Sequence, residues 1–122
     1  MLITLDPDSA VPPFEQVRAQ IAELARSGEA PVGTKLPTVR GLAEQLGLAA
    51  NTVAKAYREL ETAGVVQTRG RHGTVIAASG DASLAVAARA AAAYAERVHG
   101  LGIPAKQARA VVEAALDVAY GG

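Results

Sequence analysis

The segment that decides the fold is residues 39–64, VRGLAEQLGLAANTVAKAYRELETAG. Within it, apolar side chains recur at spacings of three and four, which marks one face of a helix, and this pattern occurs twice. The first face is followed by Gly47 and the second by Gly64, positions where glycine commonly ends a helix. The two faces consist of Val39, Leu42, Ala43 and Leu46, and of Val53, Ala56, Tyr57 and Leu60. Two short helices joined by the few residues around Gly47 must cross steeply, which predicts a helix-turn-helix.

The residues upstream of this motif predict one more helix. Its apolar face is Phe14, Val17, Ile21 and Leu24, and two prolines stand at positions 12 and 13, where the start of a helix tolerates proline. We expect this helix to end near residues 27–28. A short strand is expected at residues 2–5 and a turn at residues 30–33.

The residues downstream of the motif change to β-type sequence. Residues 65–68 (VVQT) and 74–76 (TVI) predict two strands, and the turn between them, residues 69–73, is basic and contains two glycines. A hairpin directly after the second helix of a helix-turn-helix is a wing. The sequence therefore predicts a winged helix-turn-helix.

The remainder of the chain, after a polar break at residues 79–81, is rich in alanine and predicts a helical hairpin. A heptad-like seam runs along its first helix, a break follows at residues 100–102, and Pro104 stands at the start of a second helix. The seam consists of Leu84, Ala88, Ala91, Ala95 and Val98, and the apolar face of the second helix consists of Ala108, Val111, Val112, Ala115, Leu116 and Ala119.

The predicted fold class is mainly α with a small β-hairpin: a winged helix-turn-helix at residues 1–78 and a two-helix tail at residues 79–122. At 122 residues the chain is too short for two large domains. Because only 3% of its residues are aromatic, a large aromatic-lined ligand pocket is not expected. With no basic leader and no apolar run of about 20 residues, we expect a soluble, cytoplasmic protein.

Charge is distributed unevenly along the chain, although its formal net charge is zero at pH 7. Residues 34–78 carry six basic side chains and three acidic ones, and the rest of the chain taken together is net negative. The basic residues are Lys35, Arg40, Lys55, Arg58, Arg69 and Arg71, and the acidic ones are Glu44, Glu59 and Glu61. This segment can present a basic face to a polyanion, or it can be ordinary solvated charge.

Candidate DNA contacts follow from where a recognition helix and a wing meet DNA. Asn51 and Thr52, near the start of the second helix of the motif, are candidates for reading bases, with helix capping as the alternative. Lys55 and Arg58 are expected to meet phosphates, and Arg40 to reach a phosphate or a base edge. In the wing, the candidates are Arg69, Arg71 and His72.

Catalysis is not expected. The absence of cysteine excludes thiolate zinc sites and thiol nucleophiles. The two histidines, His72 and His99, lie far apart and neither has metal-ligand spacing to a partner. No nucleophile motif or phosphate-cradling loop is present, so we expect neither a metal nor another cofactor.

Several ordered motifs resemble the GntR family of bacterial regulators. They are PFEQV at residues 13–17, VGTKLPTVRGLA at residues 32–43 and NTVAKAYRELE at residues 51–61, and the last of these, with the short tail, looks like the YtrA subfamily. This resemblance implies a dimeric repressor or regulator, often of transporter genes. It also implies that DNA contacts fall at Arg40, Asn51, Thr52 and the wing. Where the family usually has a polar residue, this chain has Ala49.

The tail is expected to pair two copies of the chain, because its apolar faces would stay partly exposed in a monomer. The dimer residues expected are Leu84, Ala88, Ala91, Ala95, Val98, Val111, Val112, Ala115 and Leu116. Pairing brings two recognition helices to half-sites about one DNA turn apart, as a palindromic operator requires. The competing interpretation is a winged helix that docks proteins, against which the basic set of residues 34–78 speaks. Three alternatives stay open for a small-molecule effector: it is absent, it uses a metal, or it binds at the dimer cleft near Arg89, Tyr94, Arg97 and His99.

Overall fold

The computed structural model describes residues 2–70, 73–78 and 81–121, and of Ala82 only the backbone. Arg71 and His72, two of the predicted wing contacts, lie outside the described residues. The described chain contains five helices and two strands, which confirms the predicted fold class. In chain order they are α1 (Pro13–Ser27), α2 (Val39–Leu46), α3 (Ala50–Thr62), β1 (Val66–Thr68), β2 (Thr74–Ile76), α4 (Ala82–Gly100) and α5 (Ala105–Tyr120).

The core lies where α1 and α2 pack against α3. Val17 and Ile21 of α1, Leu42 of α2, and Val53 and Leu60 of α3 are fully buried there. Burying an aliphatic side chain of this size stabilises a fold by about 1.5–3 kcal/mol. The apolar faces predicted for these three helices are therefore the faces that the fold buries.

Two polar contacts hold the helix-turn-helix in shape. The Thr38 hydroxyl caps α2 by accepting from the Gly41 backbone N–H at 3.0 Å. The Tyr57 hydroxyl of α3 donates to the Pro37 carbonyl at 2.7 Å, and burial raises the pKa of this phenol to about 12. Between the helices Gly47 has φ +69°, where a side chain would be strained. α3 is thus tied directly to the segment that leads into α2.

The wing is larger than the sequence predicted. β1 and β2 pair antiparallel, with Val66 opposite Ile76 and Thr68 opposite Thr74. A bridge between Lys35 and Val75 adds a third segment at the other edge of β2. The Leu36 N–H donates to the Thr74 carbonyl at 2.8 Å as part of this pairing. The segment is too short for a periodic pattern, which is why the sequence predicted only the turn before it.

The strand predicted at residues 2–5 is wrong. Among the described residues this segment has no strand partner, and two glutamine side chains of α1 bond its backbone instead. The Gln20 amide donates to the Thr4 carbonyl at 2.6 Å and accepts from the Thr4 N–H at 3.1 Å. Gln16 bonds both backbone groups of Asp6 in the same way, at 3.1 and 2.8 Å. The segment therefore lies extended along α1 with Ile3 buried.

The chain divides into two compact units, Met1–Ala85 and Val86–Gly122, so the division lies inside α4, a few residues beyond the predicted boundary at residue 78. At the start of α4, the Asp81 carboxylate accepts from the Leu84 N–H at 3.0 Å, which caps the helix. In the second unit, the Tyr94 hydroxyl of α4 donates to the Ala108 carbonyl of α5 at 2.8 Å. α4 and α5 thus form the predicted helical hairpin. Among the helices described, none has the length and apolar character that crossing a membrane requires.

Candidate nucleic-acid interface

The outward face of α3 carries three of the predicted contacts. Asn51, Lys55 and Arg58 are exposed, and their spacing of four and three residues places them in one stripe. The stripe lies opposite the buried side of the helix, which includes Val53 and Leu60. α3 is therefore anchored on one side and offers an amide and two cations on the other.

The first turn of α3 has no side-chain cap. Ala49 occupies the N-cap position, with extended backbone, and no side chain bonds the open N–H groups. Asn51 and Thr52 are the second and third residues of the helix, so the capping role left open for them is wrong. Within the described part of the chain, the Asn51 side chain makes no hydrogen bond. Its amide is consequently available to an external partner.

Lys55 is oriented by an aromatic ring. Its Nζ lies 3.9 Å from the centroid of the Phe14 ring, a cation–π contact between α3 and α1. Lys55 also lines an open groove of about 700 Å³, whose lining includes Glu15, Arg18 and Glu59. Arg18 donates from Nε to the Glu15 carboxylate at 2.9 Å, and this hydrogen bond lowers the pKa of Glu15. The groove on the α1 side of α3 thus has mixed charge.

Arg40 is the second residue of α2, and its side chain is exposed. The same short helix places Leu42 in the core, while Val39 is half-buried. Arg40 therefore projects from a helix whose opposite side is fixed, as the sequence predicted.

The hairpin places Arg69 at the end of β1. With the Gln67 amide oriented so that its oxygen faces the guanidinium, that oxygen accepts from Arg69 Nε at 2.6 Å and from a terminal nitrogen at 2.9 Å. The Arg69 backbone N–H donates to the Gly73 carbonyl at 2.7 Å, which closes the turn. Arg69 is thus held by its own strand rather than extended freely into solvent.

One contact between α3 and the hairpin was not predicted from the sequence. The Glu61 carboxylate of α3 accepts from both the backbone N–H and the hydroxyl of Thr68 in β1. A cleft of about 200 Å³ lies between α3 and the hairpin, and Val39 from the start of α2 also lines it. No sequence motif predicts such a pair, because the contact depends on how the chain turns after α3.

The first unit therefore carries the recognition helix, the start of α2 and the wing on one scaffold. The family described as "Bacterial regulatory proteins, gntR family" matches residues 13–76, which are the residues that build this scaffold. The chain belongs to the GntR family. It is a transcriptional regulator with a winged-helix DNA-binding domain.

Two relatives are transcriptional regulators, and the second of them supports the predicted likeness to YtrA. The HTH-type transcriptional regulator Rv1152 of Mycobacterium tuberculosis is 53% identical over 89 residues, which cover 71% of this chain and 74% of that protein. The HTH-type transcriptional repressor YtrA of Bacillus subtilis is 41% identical over 83 residues, which cover 68% of this chain and 64% of that protein.

Two solved structures show the same fold. YtrA from Sulfolobus acidocaldarius, a GntR-family transcription factor, superposes with a TM-score of 0.59 at 36% identity, covering 64% of this chain and 82% of that one. The DNA-binding domain of AraR in complex with operator ORX1 superposes with a TM-score of 0.53 at 28% identity, covering 60% of this chain and 90% of that one. A GntR-type winged helix of this shape is therefore known bound to operator DNA.

The predicted dimer residues differ in how far one copy of the chain covers them. Ala88, Val98 and Val112 are half-buried, whereas Ala91, Ala95 and Ala115 are exposed. Val111 and Leu116 are about half exposed. Leu84 belongs to the first unit, where it lines a groove with Ala22, Ala25 and Ile76.

The four residues expected near an effector at the dimer cleft all lie on α4. The Tyr94 hydroxyl is engaged by the Ala108 carbonyl, and Arg89, Arg97 and His99 are exposed. Within the described ranges, no group of three or more His, Cys, Asp or Glu side chains is placed to hold a metal ion.

Proposed function

We propose that this chain is a repressor that binds a palindromic operator as a homodimer in the cytoplasm. In this proposal residues 1–78 bind DNA and residues 79–122 form the dimerisation tail. The observation that carries it is the outward stripe of α3, where Asn51, Lys55 and Arg58 are exposed beside the start of α2 and the wing.

The roles of the side chains follow from their chemistry. Asn51 reads a base, since a side-chain amide can bond an adenine edge through two hydrogen bonds, and Thr52 supports it with a hydroxyl. Lys55 and Arg58 bind phosphates, which fix the position of α3 without reading sequence. Arg40 reaches the DNA beside α3, and the wing approaches the backbone or the minor groove through Arg69, Arg71 and His72.

The tail supports the homodimer. Val118 and Tyr120 are each 84% exposed in one copy of the chain, and Val86 and Leu101 are also largely exposed. Exposed apolar side chains favour association, because pairing removes them from water. A second copy offers the same surface and supplies the second recognition helix that a palindrome needs.

The repressor role rests on the relative from Bacillus subtilis, which is named a repressor. We assign the chain no catalytic activity, since the relatives reported above are regulators of transcription.

The proposal is tested by selecting genomic DNA fragments on the full chain and measuring its affinity for the selected duplex and a scrambled one. We expect an inverted repeat to be selected and bound at least a hundredfold more tightly than the scrambled duplex. Affinity for both should fall with salt, by about 0.9 in log–log slope for each phosphate neutralised. Equal affinity for both duplexes would contradict the proposal and favour a winged helix that docks proteins.

A further inference from the structure

Glu61 connects the recognition helix to the wing. Its Oε2 accepts from the Thr68 backbone N–H at 3.2 Å and from the Thr68 hydroxyl at 2.9 Å. Between the two residues the chain leaves α3 at Ala63 and turns through Gly64, which has φ +79°. A side chain from the exposed surface of α3 therefore reaches across this turn to β1.

The contact falls at the outer edge of β1, which pairs with no other strand in the described part of the chain. Consecutive N–H groups of a strand point to opposite edges. The Arg69 N–H points inward and donates to the Gly73 carbonyl, whereas the Thr68 N–H points outward to Glu61. The outward N–H of an edge strand has no acceptor in the sheet, and here a carboxylate of α3 accepts from it in place of water.

The contact between Glu61 and Thr68 also lies closer to the tip of the wing than the buried base of the hairpin does. Val66 is buried and anchors the base of the hairpin, and Thr68 comes two residues later, directly before Arg69. The Arg69 guanidinium is in turn held by Gln67 on the opposite face of β1. The Arg69 side chain is therefore fixed to the end of β1. The Glu61 contact in turn holds the end of β1 at a set distance from α3.

An acidic side chain in this place is unfavourable for DNA binding by charge alone. Glu61 is one of three acids in residues 34–78, and it shares the α3–hairpin cleft with Arg58. A carboxylate near a phosphate-binding surface repels the phosphates, although salt weakens the repulsion.

We propose that Glu61 is a positioning residue that holds the wing against the recognition helix and so sets where Arg69 meets DNA. Glu61 itself contacts Thr68 and not the DNA. The inference rests on the proposed function insofar as operator binding is its readout.

The test compares Glu61→Ala and Glu61→Gln with the matched control Glu59→Ala in the full chain. Glutamine keeps an acceptor oxygen within reach of Thr68, whereas alanine removes it. Glu59→Ala removes one negative charge from the same helix, on the side of the α1 groove. We expect Glu61→Ala to weaken operator binding about fivefold, and Glu61→Gln and Glu59→Ala to bind as tightly as the unmodified chain or slightly more tightly.

A readout without DNA is the exchange rate of the Thr68 amide hydrogen. We expect the rate to rise at least tenfold in Glu61→Ala and to stay within about threefold in Glu61→Gln, because only alanine leaves the Thr68 N–H without its acceptor. Thr68→Val keeps the N–H bond and removes the hydroxyl bond, so it should weaken operator binding by about twofold. An unchanged Thr68 exchange rate in Glu61→Ala would overturn the inference.

The route through the wing is tested by repeating Glu61→Ala in an Arg69→Ala background. If Glu61 acts by placing Arg69, Glu61→Ala should weaken operator binding by less than about twofold in this background, because the Arg69 contact that Glu61 positions is already gone. The same fivefold loss in both backgrounds would overturn the inference, as would equal losses for Glu61→Ala and Glu61→Gln. If the unmodified chain shows no preference for the operator, the proposed function fails, and the Thr68 exchange rate still tests the contact.

Discussion

The two units of this chain bury their apolar side chains to very different degrees. In Met1–Ala85, the large apolar residues of three helices and the hairpin close around a core that includes Ile21, Leu42 and Leu60. In Val86–Gly122, among the residues described, only Ala108 is buried, while Val118 and Tyr120 are 84% exposed. The first unit closes a core by itself, whereas the second leaves most of its described apolar side chains in water. This contrast is the physical basis for assigning DNA reading to one unit and pairing to the other.

The largest effect is expected from removing the tail. A chain ending at Ala85 should remain folded, because the first unit retains its whole core. It should be monomeric and should bind the inverted repeat at least a hundredfold more weakly, because the second recognition helix is no longer linked to the first. Light scattering and a duplex titration measure the two properties. A truncated chain that is still dimeric would place the interface in the winged helix.

The stability contrast is sharpened by one substitution in each unit. Leu60→Ala leaves a cavity in a closed core and should lower the free energy of unfolding by about 3 kcal/mol. Val118→Ala changes a side chain that one copy leaves in water, and should change that free energy by less than about 0.5 kcal/mol. Urea unfolding at a protein concentration low enough to keep the chain monomeric compares them. Similar losses would show that the tail is packed within one copy.

Within the first unit, Asn51 and Arg58 are expected to differ in what they recognise. Asn51→Ala should cost about 1–3 kcal/mol of discrimination at one base pair, because its amide reads a base edge. Arg58→Ala should weaken binding to specific and scrambled duplexes equally and should reduce the salt slope by about one. Titrations of both variants on both duplexes distinguish the roles. Equal losses on the two duplexes for Asn51→Ala would remove Asn51 from base reading.

The smallest effect on stability is expected where the N-terminal segment lies along α1. Gln20→Ala removes the amide that bonds both backbone groups of Thr4. Such bonds are worth about 1 kcal/mol each at most where water can replace them. We expect a loss of about 1 kcal/mol in unfolding free energy and faster amide exchange at Thr4. Unchanged exchange at Thr4 would show that burial of Ile3 alone holds the segment.

Features that repeat along the chain were predictable from the sequence. The helical faces around Val17, Leu42 and Val53 were found because burial imposes a period of 3.6 on a helix, and the glycines marked its ends. The placements of Arg40, Asn51 and Arg58 followed from those helices. The tail hairpin was predicted from the same kind of signal.

Features that depend on two distant side chains were not predictable. The pairing of Lys35 with β2, the contact of Lys55 with Phe14 and the bond from Glu61 to Thr68 have no local period, because tertiary packing alone brings the partners together. The strand predicted at residues 2–5 failed for the same reason. Its extended sequence was read correctly, but its partner is a pair of glutamine side chains rather than another strand.

The central claim is that two copies of the chain read one palindrome, each through its own α3. The most direct measurement is light scattering of the full chain bound to its selected inverted repeat, combined with its affinity for a duplex that contains one half-site. We expect two copies of the chain for each inverted repeat, and an affinity for the half-site at least a hundredfold weaker. One copy for each inverted repeat, with equal affinity for the half-site, would contradict the account.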